Sequence, residues 1–521
     1  MPQSEVDVAC LDDVPDGCLH PIEIDGNKLL LIREGAAVHA LSATCPHAGG
    51  PLAEGVRHGA RLVCPWHKAA FCLRTGAALE PPAIDPLARH SARIEAGRVL
   101  VATAPDAQTA TPETPDQRCF VIVGAGAAGA VAAQTLREIG FGGRVVMLDR
   151  DNRVPYDRTL LSKYVLSGEK GGEKSPLQSQ DFYRRMRIER RTAEVVAVEP
   201  GARRITCADG AVLHYDAALL ATGGAPVRPS LPGIGLRGVF LLRSRADADA
   251  LLAQVERSER AVVLGASFIG MEVAASLRER GLDVIVAARQ PTPFEKQLGV
   301  RIGSAFARLH EQRGVAFRLG REVAAIEGDT DASAVRLDDG ERLPADVVVI
   351  GFGVRPVTQF LREVRLNDDG GIPVDATLRV ADGLYAGGDI AAFPLQGDGP
   401  SVRVEHWRVA EQHGRVAALN MAGRITRYEA VPMFWTIQYF KDLDYIGHAS
   451  GSDETIIHGD LDAPEFLAYY VRDGRVAAAT GLGRDADTAA LTELMRMRRD
   501  WTAAELGEHP SRLLALSASR Q

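Results

Sequence analysis

Along the first hundred residues apolar and polar positions alternate in short runs, Lys28 to Ile32, Arg61 to Cys64 and Arg98 to Ala102, set apart by Gly and Pro turns. That pattern predicts a small all-β domain. From Ala102 to Gln117 the periodicity vanishes into ATAPDAQTATPETPDQ, the composition of an interdomain linker. An apolar run, Cys119 to Val123, then enters a Gly-rich turn and an Ala-rich helical segment, and a second apolar run follows at Arg144 to Leu148. This is a βαβ unit. The design returns at Ala261 to Leu264, with the turn Gly265 to Gly270, a helical segment to Arg280 and a strand at Val284 to Ala287. Two such units predict two nucleotide sites. From about Arg424 to Arg427 the chain is expected to turn to strands again. Phe466 to Val471 and Arg475 to Ala479 flank Asp473-Gly474, a hairpin signal, and a late helix is expected around Leu491 to Arg499.

A chain of 521 residues is too long for one core. No stretch of about 18 uninterrupted apolar residues is present. The N-terminal MPQSEVDVACLDDVPDG is acidic and lacks the parts of a secretory signal, which predicts a cytoplasmic location and argues against mitochondrial import. A formal charge of -8 argues weakly against nucleic acid and anionic membrane as partners. The local exception runs from Arg184 to Arg191, either a solvated surface or a docking patch for an acidic carrier protein. Seven scattered cysteines make no disulfide framework. Cys10, Cys18, Cys72, Cys119 and Cys207 read as small, partly buried apolar side chains.

Cys45 and Cys64 differ. Cys45-Pro-His47 and Cys64-Pro-Trp-His67 give C-x-H, sixteen intervening residues and C-x-x-H, so two loops each offer one thiolate and one imidazole. Both thiolates on one iron and both imidazoles on the other make a Rieske [2Fe-2S] centre, with Cys45, His47, Cys64 and His67 as ligands. Structural zinc shares this donor set but commonly uses C-x2-C and H-x3-5-H spacings. His39, His58 and His90 fit neither loop. The residues match the Rieske family closely. High-potential members carry an extra Cys in each loop, where this chain has Gly50 and Trp66, and a hydroxyl donor where it has Ala69. With fewer hydrogen bonds to the cluster, the expected potential lies at the low end of the Rieske range, on the order of -150 mV. Lys68 stands where glycine usually follows the ligand histidine, a departure that bears on the loop conformation.

Gly124-x-Gly126-x-x-Gly129 follows a strand and opens a helix, the context in which glycines admit a pyrophosphate to the helix N-terminus. Asp149, about twenty residues on, is placed for the ribose hydroxyls. The second turn reads Gly265-Ala-Ser267-Phe-Ile-Gly270-Met-Glu272, with Ser267 in place of the middle glycine. At its strand end Ala288 and Arg289 replace the acid of an NAD-specific site, so the donor is written NAD(P)H. PYDRTLLSK (Pro155 to Lys163), ATGGAP (Ala221 to Pro226) and LYAGGDIA (Leu384 to Ala391) accompany the first turn.

From Arg118 to the C-terminus these segments resemble the pyridine-nucleotide-disulfide-reductase superfamily, specifically oxygenase-type ferredoxin reductases and apoptosis-inducing-factor-like proteins; with the Rieske motifs, the whole chain resembles the Rieske-bearing members. The resemblance implies FAD, with Arg158 and Lys163 at the flavin, Asp389 beside Gly388 at its ribityl and phosphate region, and Ala221, Thr222 and Gly223 at the crossing between FAD and NAD domains. It implies that Glu272 meets Lys163 beside the flavin as the catalytic pair, and that GFGVRP, with Gly353, returns the chain to the FAD domain. RVEHWRVAEQHGRVAALNMAG and VPMFWTIQY complete the match, with Trp407 and Trp435 expected against the flavin or its access channel, or else packed in the core. LLSKYVLSG holds no cysteine pair, which excludes glutathione- or lipoamide-type chemistry.

The expected architecture is therefore multidomain: an all-β Rieske domain (1–104), a linker (105–117), an FAD domain in two parts (118–245 and 354–425) around an NAD(P) domain (246–353), both Rossmann-like α/β, and a C-terminal α/β reductase domain (426–521). Flavin accepts a hydride's electron pair and releases electrons singly, so the parts imply NAD(P)H to FAD to [2Fe-2S] to a protein acceptor, whether oxygenase, cytochrome or ferredoxin-type carrier. The tether is expected to raise the cluster's effective concentration near the flavin without requiring a tight interface, and the linker to let the domain swing toward another acceptor. A redox-responsive signalling protein with slow turnover is the second expectation, and a Rieske domain that only receives electrons from elsewhere is the third. No membrane span or nucleic acid is expected.

Overall fold

The computed structural model describes residues 4–107, 114–169, 175–463 and 465–518. Residues 108–113 of the expected linker lie outside the described residues.

In the N-terminal region Leu29 to Ile32 form the middle of strand Asn27–Glu34, between Leu19–Ile24 and Ala37–Ser42. Alternation divides the run between two cores. Leu30 and Ile32 pack with Leu41, Leu62 and Phe71, whereas Leu29 and Leu31 pack with Val38, Val99 and Val101. A meander of Val56–His58, Arg61–Val63, Ala70–Cys72 and Ala78–Glu80 lies beside the first core. Its connection after Arg61–Val63, and the loop after Ala37–Ser42, carry the two Cys-His motifs.

Cys119–Val123 lies at the centre of a six-stranded sheet, ordered Ile188–Thr192, Arg144–Asp149, Cys119–Val123, Ala217–Leu220, Leu384–Ala386, Arg379–Ala381. Its strands come from both sides of a second sheet, ordered Val239–Leu241, Val347–Ile350, Arg260–Leu264, Asp283–Ala288, Ala316–Leu319. All pairs in the second sheet are parallel, and its central strands Val347–Ile350 and Arg260–Leu264 are buried on both faces, which explains continuous apolar runs such as VVVI. Helix Ala127–Glu138 is Ala-rich because it lies against helix Trp407–Met421. A Cβ at Gly414 would stand 2.1 Å from the carbonyl oxygen of Ala128.

The C-terminal sheet is antiparallel, ordered Met433–Gln438, Lys441–Gly447, Arg475–Leu482, Phe466–Arg472, Glu454–Gly459. Asp473 and Gly474 both take positive φ, as the hairpin signal requires. Two expectations fail here. Residues 424–427 are irregular, and the first strand begins at Met433, because Asn420 holds Thr426 N–H and the carbonyls of Thr377, Val416 and Thr426. The late helix spans Asp485–Arg496, six residues earlier at its start than expected. Asp485 and Asp487 favour its N-terminus, and Asp487 is held by Arg484 and Ser511. Among the described residues no helix is long and apolar enough to cross a membrane.

Candidate redox centre

Each Cys-His loop folds on its own backbone. Cys45 N–H donates to Gly50 O at 2.9 Å and Cys64 N–H to Ala69 O at 2.8 Å. The turns aim amides inward: His47 and Ala48 N–H reach the Cys45 sulfur, and Trp66 and His67 N–H reach that of Cys64. The two thiols are buried and hydrogen-bonded to each other. The His47 and His67 rings lie edge to face with centroids 4.9 Å apart. The donors therefore form a thiol pair and an imidazole pair, and among the described residues no three such donors converge as a single ion would need. That division suits a two-iron centre of Rieske type better than tetrahedral zinc. A Cβ at Gly50 would stand 2.7 Å from the Cys64 sulfur, so the cysteine of high-potential relatives has no room here without rearrangement.

His67 is 8% exposed, because another part of the chain covers it. Trp435 packs on His67 at 4.5 Å and on His47 at 6.1 Å between ring centroids, and Asp442 Oδ2 lies 3.7 Å from His67 Nε2. Burial pushes the Asp442 carboxyl well above the usual range, with the charge of Asp444 adding to it. A tight interface, which the tether did not require, joins the Rieske domain to the rest of the chain. Arg408 is fully buried and donates to Pro81 O at 2.9 Å, Lys68 O at 3.0 Å and Glu80 Oε2 at 2.8 Å. Arg61 bridges Glu80 at 2.6 Å and Glu493 at 3.1 Å, Gln412 donates to Glu80, and Gln134 reaches Ile84 O. Sequence patterning missed these residues because each sits in an otherwise ordinary amphipathic element.

At the first nucleotide turn Gly124 has φ +104°, and its Cβ would fall 2.3 Å from Ala221 O. A Cβ at Gly129 would fall 1.9 Å from Gly124 O, whereas Gly126 faces open space at the N-cap of helix Ala127–Glu138. Asp149 accepts from Ala125 N–H at 2.6 Å, which ties the strand end to the turn. Thr222 Oγ1 donates to Val357 O at 2.6 Å, and Gly223 lies near Arg243 and Asp389. Asp389 pairs with Arg243 at 2.8 Å, while Arg243 Nε is buried with no hydrogen-bond partner. Burial and the Arg243 charge lower the Arg158 pKa. Two partly desolvated guanidiniums beside a glycine turn and a helix N-terminus fit the diphosphate of a dinucleotide. Arg243 carried no motif signal in the sequence. Gly388 N–H donates to His413 Nδ1 at 3.1 Å, and burial holds His413 down to about 3.

The second turn is similar. Gly265 has φ +106° with its Cβ position 2.6 Å from Gly351 O, and a Cβ at Gly270 would stand 2.2 Å from Gly265 O. Ser267 is the N-cap of helix Phe268–Glu279, accepting from Gly270 N–H and donating to Gly351 O at 3.0 Å, so the missing glycine is replaced by a capping hydroxyl. Gly353 has φ +86°. Arg289 is 80% exposed at its strand end and pairs only at 3.6 Å with Glu322. Glu272, on the same helix, faces the other way into the interior. It lies 3.1 Å from Lys163 Nζ and accepts from Ser162 Oγ at 2.5 Å and Thr436 Oγ1 at 2.7 Å. Lys163 also donates to Thr159 O at 2.9 Å.

The Pro155 to Lys163 segment lies within electrostatic reach of the Cys-His loops. The charge of Asp157 is felt at His47 and that of Lys163 at His67, whose own protonation is disfavoured chiefly by burial. Trp407 begins helix Trp407–Met421 and bonds Glu411, whose carboxyl is pushed well above the usual range by burial first and by Asp157 second. The basic run is mostly paired at the surface: Arg184 and Arg185 with Asp181, Arg190 with Gln180, Arg191 with Glu189. Cys18 is exposed rather than partly buried.

The family described as Pyridine nucleotide-disulphide oxidoreductase matches residues 119–414, the Rieske [2Fe-2S] domain residues 4–91 and Reductase C-terminal residues 433–516. The chain is 35% identical over 514 residues to Apoptosis-inducing factor 3 of Mus musculus, covering 95% of this chain and 84% of that protein. Rhodocoxin reductase of Rhodococcus erythropolis is 33% identical over 379 residues, covering 72% of this chain and 89% of that protein. The crystal structure of the covalent putidaredoxin reductase-putidaredoxin complex superposes with a TM-score of 0.73 at 28% identity, over 78% of this chain and 99% of that chain.

Proposed function

Since the chain belongs to the pyridine nucleotide-disulphide oxidoreductase family and carries a Rieske [2Fe-2S] domain, we propose that it oxidises NAD(P)H on FAD and delivers single electrons through its own cluster to a protein acceptor. FAD, when bound, supplies the change from two-electron to one-electron transfer, and the [2Fe-2S] cluster accepts one electron at a time.

The observation that carries this reading is the shared interior of the two sites. Trp435 packs on both imidazoles, and the next residue, Thr436, donates to Glu272 of the Lys163–Glu272 pair. Around it, Gly124, Gly129, Arg158 and Arg243 receive the diphosphate of FAD, with Asp389 and Gly388 at its ribityl end. Gly265, Ser267, Gly270 and Gly353 receive the nicotinamide nucleotide, and Arg289 leaves room for a 2′-phosphate. The Lys163–Glu272 pair, both side chains fixed by Ser162, Thr436 and Thr159 O, would hold and orient the flavin for hydride transfer from the nicotinamide. Asp149 orders the first turn and binds ribose through its remaining capacity, and Trp407 and Trp435 exclude water from the interior.

The names of the relatives, rhodocoxin reductase and the putidaredoxin reductase complex, support a ferredoxin-type carrier or an oxygenase component as acceptor. Cys10, Cys18, Cys72, Cys119 and Cys207, none in a disulfide, support a reducing compartment, the cytoplasm. The Apoptosis-inducing factor 3 match, over nearly the whole chain, supports a signalling alternative with slow turnover. Steady-state oxidation of NADH and NADPH against a panel of carrier proteins separates the two. Sustained turnover with a carrier supports the reductase, and a single slow reduction followed by a long-lived complex rejects it. His67→Ala should abolish carrier reduction and spare flavin reduction by the nicotinamide.

A further inference from the structure

Lys68 follows a cluster ligand at φ +59°, a left-handed conformation natural to glycine and strained for a side-chain-bearing residue. Its side chain must offset that strain, and the structure shows where it goes. Lys68 is fully buried and all three ammonium hydrogens are engaged. Two stay in the ligand loop, on Pro65 O at 2.5 Å and Trp66 O at 2.9 Å, and the third crosses to Asp444 in the C-terminal sheet. Asp444 is buried as well and accepts from Thr488 Oγ1 at 2.8 Å. The backbone of Lys68 is held too, its carbonyl accepting from Arg408.

Strand register gives this ion pair its consequence. Asp444 is the direct cross-strand partner of Trp435, so the two side chains share one face of the sheet. Trp435 packs on His67, the residue before Lys68. One buried pair therefore fixes the loop bearing a cluster ligand against the strand bearing the aromatic ring that covers that ligand. Buried ion pairs add little net stability and are best at setting register. We propose that Lys68 is a positioning residue for electron transfer from flavin to cluster: the Lys68–Asp444 pair holds His67 on Trp435, and the residue replaces glycine because this Rieske domain is a fixed relay. The inference rests on the function proposed above.

The test uses the loaded full-length protein and the variants Lys68→Gly and Asp444→Asn. Glycine relaxes the loop backbone, so Lys68→Gly removes the lock without straining the ligand loop, and Asp444→Asn weakens the same pair from the opposite side. Both variants should retain the wild-type electron paramagnetic resonance signal of the reduced cluster and the wild-type rate of flavin reduction by nicotinamide. Transfer from flavin to cluster should slow by about ten-fold or more, the sensitivity expected of ångström-scale misplacement. Amide hydrogen exchange over residues 433–447 should rise in both. Wild-type transfer in Lys68→Gly, or loss of the cluster in both variants, would overturn the positioning role. A wild-type protein whose cluster is never reduced from its flavin would overturn this inference together with the function beneath it.

Discussion

Replacing Arg408 by methionine should release the Rieske domain from the reductase while leaving each folded. The guanidinium is wholly buried and makes short bonds to Pro81 O, Lys68 O and Glu80 Oε2. Glu80 keeps Arg61 at 2.6 Å and Gln412 at 3.1 Å, so its carboxylate is not stranded. What is stranded is the pair of buried carbonyls on the Rieske side. At about 1–3 kcal/mol for each unsatisfied group, the loss is roughly 2–6 kcal/mol, which brackets the ~3–5 kcal/mol found on breaking a buried pair. Guanidinium unfolding of the loaded protein, followed in parallel by cluster absorbance and flavin fluorescence, reads this directly. In the wild type the two probes should fall on one transition. In Arg408→Met the cluster transition should move to lower denaturant and separate from the flavin transition. Coincident transitions shifted by less than about 1 kcal/mol would refute the reasoning, because two buried carbonyls left without a donor cannot cost so little.

Gly129→Ala should yield protein without FAD, since the new Cβ would meet Gly124 O at 1.9 Å; the visible spectrum after desalting checks it, and stoichiometric flavin would contradict it. Thr436→Val removes one bond to Glu272 and should slow flavin reduction by nicotinamide without lowering flavin content, as seen by stopped-flow absorbance. Acid should destabilise the fold through buried neutral histidines. His310 and His406 are held down to about 4 by burial, so the stability they contribute is complete above about pH 6.5 and is lost as pH falls through 4. At pH 5 each costs about 2 kcal/mol, and His310→Gln should flatten that part of the thermal-midpoint profile.

Much of this was legible because certain residues have few alternatives. Gly124 and Gly265 need positive φ under a neighbouring carbonyl, and two Cys-His loops with sixteen intervening residues have a restricted chemistry. Both strand-turn-helix units and the Asp473-Gly474 hairpin follow from local rules, and the structure has them. The association of the parts was not legible. Arg408 and Arg61 are long cations whose burial depends on a partner hundreds of residues away, so nothing in their own elements marks them. Lys68 was visible as a departure, yet its meaning needed Asp444, which only strand register places opposite Trp435. Arg243 was silent for the same reason, and the early start of helix Asp485–Arg496 was hidden because Asp and Thr read as loop residues until their acceptors are known.

Electrons reach the iron centre through the flavin of the same polypeptide in the proposed function. Rapid freeze-quench spectroscopy of the loaded protein mixed anaerobically with NADH, repeated over serial dilution of the protein, measures this step. Flavin bleaching should precede the paramagnetic signal of the reduced cluster, and the rate constant of the second event should be independent of protein concentration. A cluster signal that arises before flavin bleaching, or a rate that scales with protein concentration, would contradict it.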